Sequence, residues 1–168
     1  MTAQSQTELP YHKIPDVPKQ YSEGNVAARM VDGLGFRYYW ATEGLRAEDL
    51  TYKPSESGRT SQETIVHLFE LSNFILRSIH KDFKAKAAPD TFELLRMETL
   101  FNFKAASDIL RNTDDLSALD NEKYPFWNVI NGPIADALWH CGQVVMLRRA
   151  SGNPFNSKVS VFWGKLRD

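Results

Sequence analysis

Two side chains suited to binding a metal or moving a proton lie one turn apart on a strongly apolar segment. The segment PIADALWHCGQVVMLRR, residues 133–149, has helical periodicity and carries Asp136 and His140. At about 100° per residue, these two residues and Gln143 fall on one face of the predicted helix. Apolar residues cover most of its remaining surface, which predicts a helix buried against several neighbours. Because buried polar groups need partners, a third polar group is expected to meet them.

His67 is the residue best placed to supply that group. It lies in TIVHLFELSNF, away from the main apolar stripe of its predicted helix and on a second stripe with Leu71 and Phe74. Each helix of a bundle contacts two neighbours, so this second stripe can face Asp136 and His140. Two imidazoles and a carboxylate with open coordination positions form the ligand set of a catalytic metal site. The alternative is a plain hydrogen bond between Asp136 and His140 without a metal.

Four helical patterns position these residues. Apolar residues recur at helical spacing from about 25 to 44, from 60 to 83, from 90 to 112 and from 133 to 149. Four helices of about 20 residues, each about 30 Å long, predict an all-α four-helix bundle. The connection 113–131 is long enough to cross over the bundle instead of turning tightly.

The two ends of the chain lie outside these patterns. Residues 1–21 are polar and contain Pro10, Pro15 and Pro18, which predicts a short extended arm ahead of a single domain at 22–168. The C-terminal tail SKVSVFWGKLRD alternates apolar and polar residues and is expected to be extended.

Composition and charge restrict the class of function. The chain has 168 residues, of which 42% are hydrophobic, enough for a globular core. A net charge of −1 argues against nucleic-acid binding and against docking on an anionic membrane. We see no membrane-spanning apolar run and no signal-peptide pattern in MTAQSQTELPYHK. Together with a single cysteine, Cys141, these features predict a cytoplasmic protein.

Two segments resemble the DinB-like (DNA-damage-inducible) family of metal-binding four-helix bundles. LTYKPSESGRTSQETIVHLFEL resembles the stretch that enters the family's second helix and delivers a histidine. DALWHCGQVVMLRRASGNP resembles its fourth-helix signature, and the resemblance covers about residues 25–155. It implies that His67, Asp136 and His140 ligate the metal, with Asp136 at a position where many members have histidine.

The resemblance also implies an activity. Family members with assigned activities bind a divalent ion such as nickel or zinc and are mostly thiol-dependent transferases, or related isomerases and hydrolases. For this chain it implies a divalent-metal-dependent enzyme that acts on a small-molecule substrate. The implied metal is nickel or zinc, with iron or manganese as further candidates. A low-molecular-weight thiol is the implied cosubstrate. Members are often dimeric, so we expect a homodimer, with Phe36 and Tyr39 as aromatic residues available to a partner.

Three further residues are assigned to the surroundings of the ion. Gln143, one turn beyond His140, is predicted to hydrogen-bond a ligand or another side chain. Tyr124 and Trp127 in the connection before the last helix are predicted to wall a substrate pocket. Each also has a purely structural interpretation, because bundle cores contain satisfied amides and packed aromatic rings.

Other interpretations fit the sequence less well. A di-iron bundle needs Glu-x-x-His on each of two helices, a motif that this sequence lacks. Cys141 beside His140 invites a nucleophile–base interpretation, but adjacent residues on a helix point about 100° apart, and Cys141 falls on the apolar face. The alternative to an enzyme is a bundle that binds a small ligand or a partner, in which the His–Asp cluster only braces the fold.

Overall fold

The computed structural model describes residues 8–121 and 123–168, so the first seven residues of the predicted arm lie outside the described residues. In chain order the helices are α1 (Glu23–Thr42), α2 (Ala47–Thr51), α3 (Ser61–Ile79), α4 (Phe92–Arg111), α5 (Phe126–Val129) and α6 (Ala135–Ala150). A 3₁₀ helix spans Leu116–Leu119 and a π-helical turn spans Ile130–Ile134. Two short strands, β1 (Val159–Ser160) and β2 (Lys165–Leu166), pair antiparallel.

The four long helices form an all-α bundle around a main apolar core, as the periodicity predicts. Helices α1 and α3 each pack against both α4 and α6. Each long helix contributes fully buried side chains to the core, among them Leu34, Phe69, Phe103 and Val144. In the part of the chain that the structure describes, none of the helices combines the length and apolar character needed to cross a bilayer.

Contacts near the helix ends give the relative directions of the helices. Arg96, near the start of α4, donates to the hydroxyl of Thr42 at the end of α1 at 2.9 Å, so these two helices are antiparallel. Arg148, near the end of α6, donates to the carbonyl of Ala41 at 3.0 Å, so α6 runs in the direction of α1. Helix α3 is antiparallel to α6, because its first turn lies beside the last turns of α6.

Capping fixes where the helices begin. The hydroxyl of Thr60 accepts the amide of Glu63 at 3.1 Å, and the carboxylate of Glu63 accepts the amide of Thr60 at 2.7 Å. This reciprocal capping box starts α3 at the predicted position, two turns before His67. Helix α4 begins one residue later than expected, because Thr91 and not Asp90 is its N-cap.

The connection 113–131 has more local structure than the sequence predicts. It contains the 3₁₀ helix and α5, and α5 continues through the π-helical turn into α6. The chain kinks at Gly132, since Pro133 lacks an amide hydrogen and disfavours the helical conformation of the residue before it. Helix α6 therefore starts at Ala135, and Asp136 lies in its first turn.

The ends of the chain pack on α1. The buried ring of Tyr11 lies over Gly35, where an added Cβ would overlap it, and its hydroxyl donates to Asp32 at 3.3 Å. At the other end, Val159 of β1 covers Phe36, which is fully buried. The expectation that Phe36 is free to contact a partner is therefore wrong, because the C-terminal tail of the same chain covers it.

Candidate metal centre

His67, Asp136 and His140 converge at the seam between α3 and α6. One potential ligand atom from each side chain lies within 4.8 Å of the other two. Nε2 of His67 is 3.5 Å from Oδ2 of Asp136, and the two imidazole rings are 4.5 Å apart between centroids. The structure thus brings together the three residues that the sequence assigns as ligands, and the second stripe of α3 does face α6.

The distance between His67 and Asp136 fits two ligands of one ion. Two donor atoms bound at about 2.0–2.1 Å to a tetrahedral ion are about 3.3 Å apart. The observed 3.5 Å is close to that value and is too long for a good N–H···O hydrogen bond. The spacing therefore suits donors arranged around a cation better than a direct hydrogen bond.

The second nitrogen of each imidazole points towards an oxygen on its own helix, which is within hydrogen-bond distance only for His140. Nδ1 of His140 donates to the backbone carbonyl of Asp136 at 2.9 Å. A carbonyl only accepts hydrogen bonds, so Nδ1 is the donor in this contact, and in the neutral imidazole Nε2 is then the nitrogen with a lone pair for an ion. Nδ1 of His67 lies 3.6 Å from the carboxylate of Glu70, while Nε2 faces Asp136. A carboxylate or carbonyl behind the ring is the usual way in which proteins orient histidines that bind metals.

Glu70 is a member of this site that the sequence analysis missed. It lies three residues after His67, on the same side of α3. That spacing is the signal that could have identified it, but an exposed glutamate on a helix is so common that the spacing alone does not stand out.

The cluster is half-buried and accessible from one side. The exposed fractions of the side chains are 30% for His67, 40% for Asp136 and 13% for His140. The helices cover the remaining surface of the three groups. An ion in this position would have coordination sites directed towards solvent, where a small molecule can reach it.

The structure places the other three predicted residues in different surroundings. Gln143 lines a groove that continues the α3–α6 seam one turn beyond His140. Tyr124 packs on Phe74 with ring centroids 4.9 Å apart, two turns along α3 from the cluster. Trp127 is exposed and lines a separate groove against α1. Of these three residues, only Gln143 therefore lines the groove beside the three proposed ligands.

The Cys141 thiol does not take part in the site. It is buried on the apolar face of α6, with 2% of the residue exposed. Burial raises the pKa of this thiol to about 12, so the thiolate is scarce at neutral pH. The expectation of a packed thiol is confirmed.

No protein-family model, curated protein or solved structure matches this chain. The resemblance to DinB-like proteins therefore stays a prediction from the sequence. The case for a metal centre depends on the geometry of the three side chains.

Proposed function

We propose that the protein is a divalent-metal-dependent enzyme of the DinB-like type, in which His67, Asp136 and His140 hold the ion. The observation that carries the proposal is the convergence of one donor atom from each of these residues within 4.8 Å of the others. Imidazole and carboxylate ligands suit zinc, nickel, iron and manganese. The resemblance in sequence favours nickel or zinc.

The reaction that we propose is transfer of a low-molecular-weight thiol to a small-molecule substrate, or a related hydrolysis or isomerisation. A divalent cation supplies Lewis-acid activation, which favours the ionised form of a coordinated nucleophile near neutral pH. The buried Cys141 is a poor source of thiolate, so the nucleophile that we propose is the thiol cosubstrate or, for hydrolysis, water. His67, Asp136 and His140 would hold the ion on one side and would leave its other side open to both reactants.

The second candidate is a helical bundle without catalytic activity, in which the cluster is a brace or binds only a ligand. The hydrogen bond from Nδ1 of His140 to the carbonyl of Asp136 favours it, because this contact forms within α6 and needs no metal. The two candidates differ in what removal of one histidine does. A brace loses stability, whereas a metal site on a preformed bundle loses the ion.

Metal analysis of three purified proteins tests the proposal: wild type, His67→Ala and His80→Ala. His80 caps the exposed end of the same helix and provides the matched control. We expect about one ion per chain in wild type and in His80→Ala, and its loss in His67→Ala. The metal-free form of His67→Ala is expected to melt within about 4 °C of metal-free wild type.

Two results would count against the metal enzyme. Wild-type protein that takes up no nickel, zinc, iron or manganese on reconstitution contradicts the proposal. If metal-free wild type stays folded and metal-free His67→Ala unfolds, the result supports the brace instead.

The homodimer and the cytoplasmic location are also proposals, the first from the resemblance and the second from the composition. Sedimentation of the purified chain tests the homodimer.

A further inference from the structure

Beside the candidate metal centre, the seam between α3 and α6 carries a groove of about 700 Å³, which neighbours of the three proposed ligands line and the ligands themselves do not. Thr64 and Gln143, each one turn from a proposed ligand, line the end of the groove nearest the cluster. Arg59, in the connection before α3, lines the far end. With a helical rise of 1.5 Å per residue, His67 is about 9 Å along α3 from Ser61, its first residue, and Arg59 precedes Ser61 by two residues.

The side of the groove formed by α6 is apolar and open to solvent. Trp139 is 73% exposed and Met146 is 62% exposed, although both are large apolar residues on a helix with a buried face. Gly142 lies between them, and a Cβ added there would meet nothing within 4 Å. Packing within the chain therefore does not require glycine at this position. Its effect is to leave space between the two exposed apolar side chains.

Arg59 gives this apolar groove a positive end. It forms none of the ion pairs found among residues 8–121 and 123–168, and the carboxylate of Glu63, which lies near it, is bound to Thr60 in the capping box. A guanidinium group recognises carboxylates through paired, charge-assisted hydrogen bonds. An apolar groove that ends at an arginine is complementary to an apolar molecule with one carboxylate.

We propose that this groove binds the substrate of the metal centre and that the substrate is an apolar carboxylic acid. Its carboxylate pairs with Arg59, its apolar body covers Trp139 and Met146, and its other end reaches the cluster of His67, Asp136 and His140. The term substrate rests on the proposed function. Binding in the groove does not, because the lining residues bind the acid whether or not an ion is present.

Titration of metal-free, ¹⁵N-labelled protein with 4-phenylbutyrate tests the proposal. The chain has four tryptophans, and a Trp139→Phe variant assigns the indole N–H signal of Trp139. We expect this signal to shift saturably with the acid. Binding is expected to be about tenfold weaker for the neutral 4-phenylbutan-1-ol and for the acid with Arg59→Gln, since one charge-assisted contact is lost in each case. Arg77→Gln, an exposed arginine of α3, is the control and keeps the wild-type affinity.

A further variant separates loss of binding from loss of folding. Gly142→Leu places a side chain in the open space of the groove and is expected to weaken binding of the acid about tenfold while its thermal melt stays cooperative. An unshifted Trp139 signal in wild type, equal affinities for acid and alcohol, or wild-type affinity in Arg59→Gln would each overturn the proposal. A shift confined to Trp127, in the groove against α1, would overturn it as well.

The outcome is independent of the test of the metal centre. Because the titration uses metal-free protein, failure of metal uptake in the reconstitution experiment contradicts the proposed function and leaves the binding result intact. Normal metal uptake combined with any of the negative titration results contradicts the groove and leaves the metal centre intact.

Discussion

The imidazole rings of His67 and His140 meet edge to face across the seam between α3 and α6, with their centroids 4.5 Å apart. Asp136 completes the group from the first turn of α6, just after the kink at Gly132. One residue of the three thus depends on the register of α3, and the other two depend on where α6 begins. Each of the following predictions concerns the groups that fix this geometry or the stability of the bundle that carries it.

The carboxylate behind His67 is expected to strengthen metal binding without touching the ion. Glu70→Gln removes the negative charge 3.6 Å from Nδ1 of His67 and keeps the size of the side chain. We expect zinc affinity to fall about tenfold, as is usual when such an orienting carboxylate is lost. Competition with a chromophoric chelator measures it, and Glu56→Gln in an exposed loop is the control. An unchanged zinc affinity in Glu70→Gln would show that Glu70 has no orienting role.

Two glycines inside helices are expected to respond oppositely to the same substitution. Gly35→Ala forces the buried ring of Tyr11 to move and should lower the free energy of unfolding by about 2 kcal/mol. Gly142→Ala meets no atom within 4 Å and should raise it by about 0.5–1 kcal/mol, because alanine favours the helix. Urea unfolding of the two variants measures both changes, and changes of the same sign would contradict the prediction.

Arg148 joins the ends of α1 and α6. Its buried guanidinium donates to the carbonyls of Trp40, Ala41 and Glu43 at 3.1, 3.0 and 2.9 Å. These carbonyls lie at a helix end, where partners within the helix are missing. Arg148→Met leaves them unsatisfied and should lower the free energy of unfolding by about 3 kcal/mol. Urea titrations measure the change. The exposed neighbour provides the control, because Arg149→Met is expected to change the free energy of unfolding by only about 0.5 kcal/mol.

Asp49 is expected to make stability depend on pH. This buried carboxylate accepts hydrogen bonds from Arg46, Ser151 and Asn153 at 2.9, 2.6 and 2.6 Å. The hydrogen bond from Arg46 is the main reason that the pKa of Asp49 lies well below its usual range. A carboxyl whose pKa is lowered by folding stabilises the folded state above its ordinary pKa, about 4, and this stabilisation is lost as the pH falls below that value.

Comparison of wild type with Asp49→Asn checks this pH dependence. We expect the variant to be less stable by about 2 kcal/mol at pH 7, where the carboxylate is charged in both states. The difference between the two proteins should shrink as the pH falls from 4 to about 2, because the unfolded carboxyl is protonated over this range while the folded carboxyl stays charged. A difference that stays constant over this range in urea titrations would contradict the assignment.

The long helices could be predicted from the sequence because each has a buried stripe that repeats with the helical period. The short elements could not. Helix α2, for example, depends on Asp49, whose partners Ser151 and Asn153 follow α6 in the sequence. Pro54 and Gly58 in the segment RAEDLTYKPSESGR indicate a loop between α1 and α3, and contacts with distant parts of the chain stabilise a short helix there in spite of this composition.

The candidate site was predictable only in part for the same reason. His67 falls on a second stripe of α3, and that angle is readable from the sequence. The positions of Tyr124 and Trp127 depend instead on how α5 and the 3₁₀ helix lie against the bundle, and no sequence pattern separates these two residues from the cluster. Phe36 was misjudged because its cover comes from the C-terminal strands.

An anomalous difference map tests the central claim most directly. Crystals of zinc-reconstituted protein are measured above and below the zinc absorption edge. The account predicts one peak per chain, present only above the edge, about 2.0–2.2 Å from a nitrogen of His67, a nitrogen of His140 and a carboxylate oxygen of Asp136. Zinc bound only elsewhere on the chain, with these three side chains unligated, would contradict it.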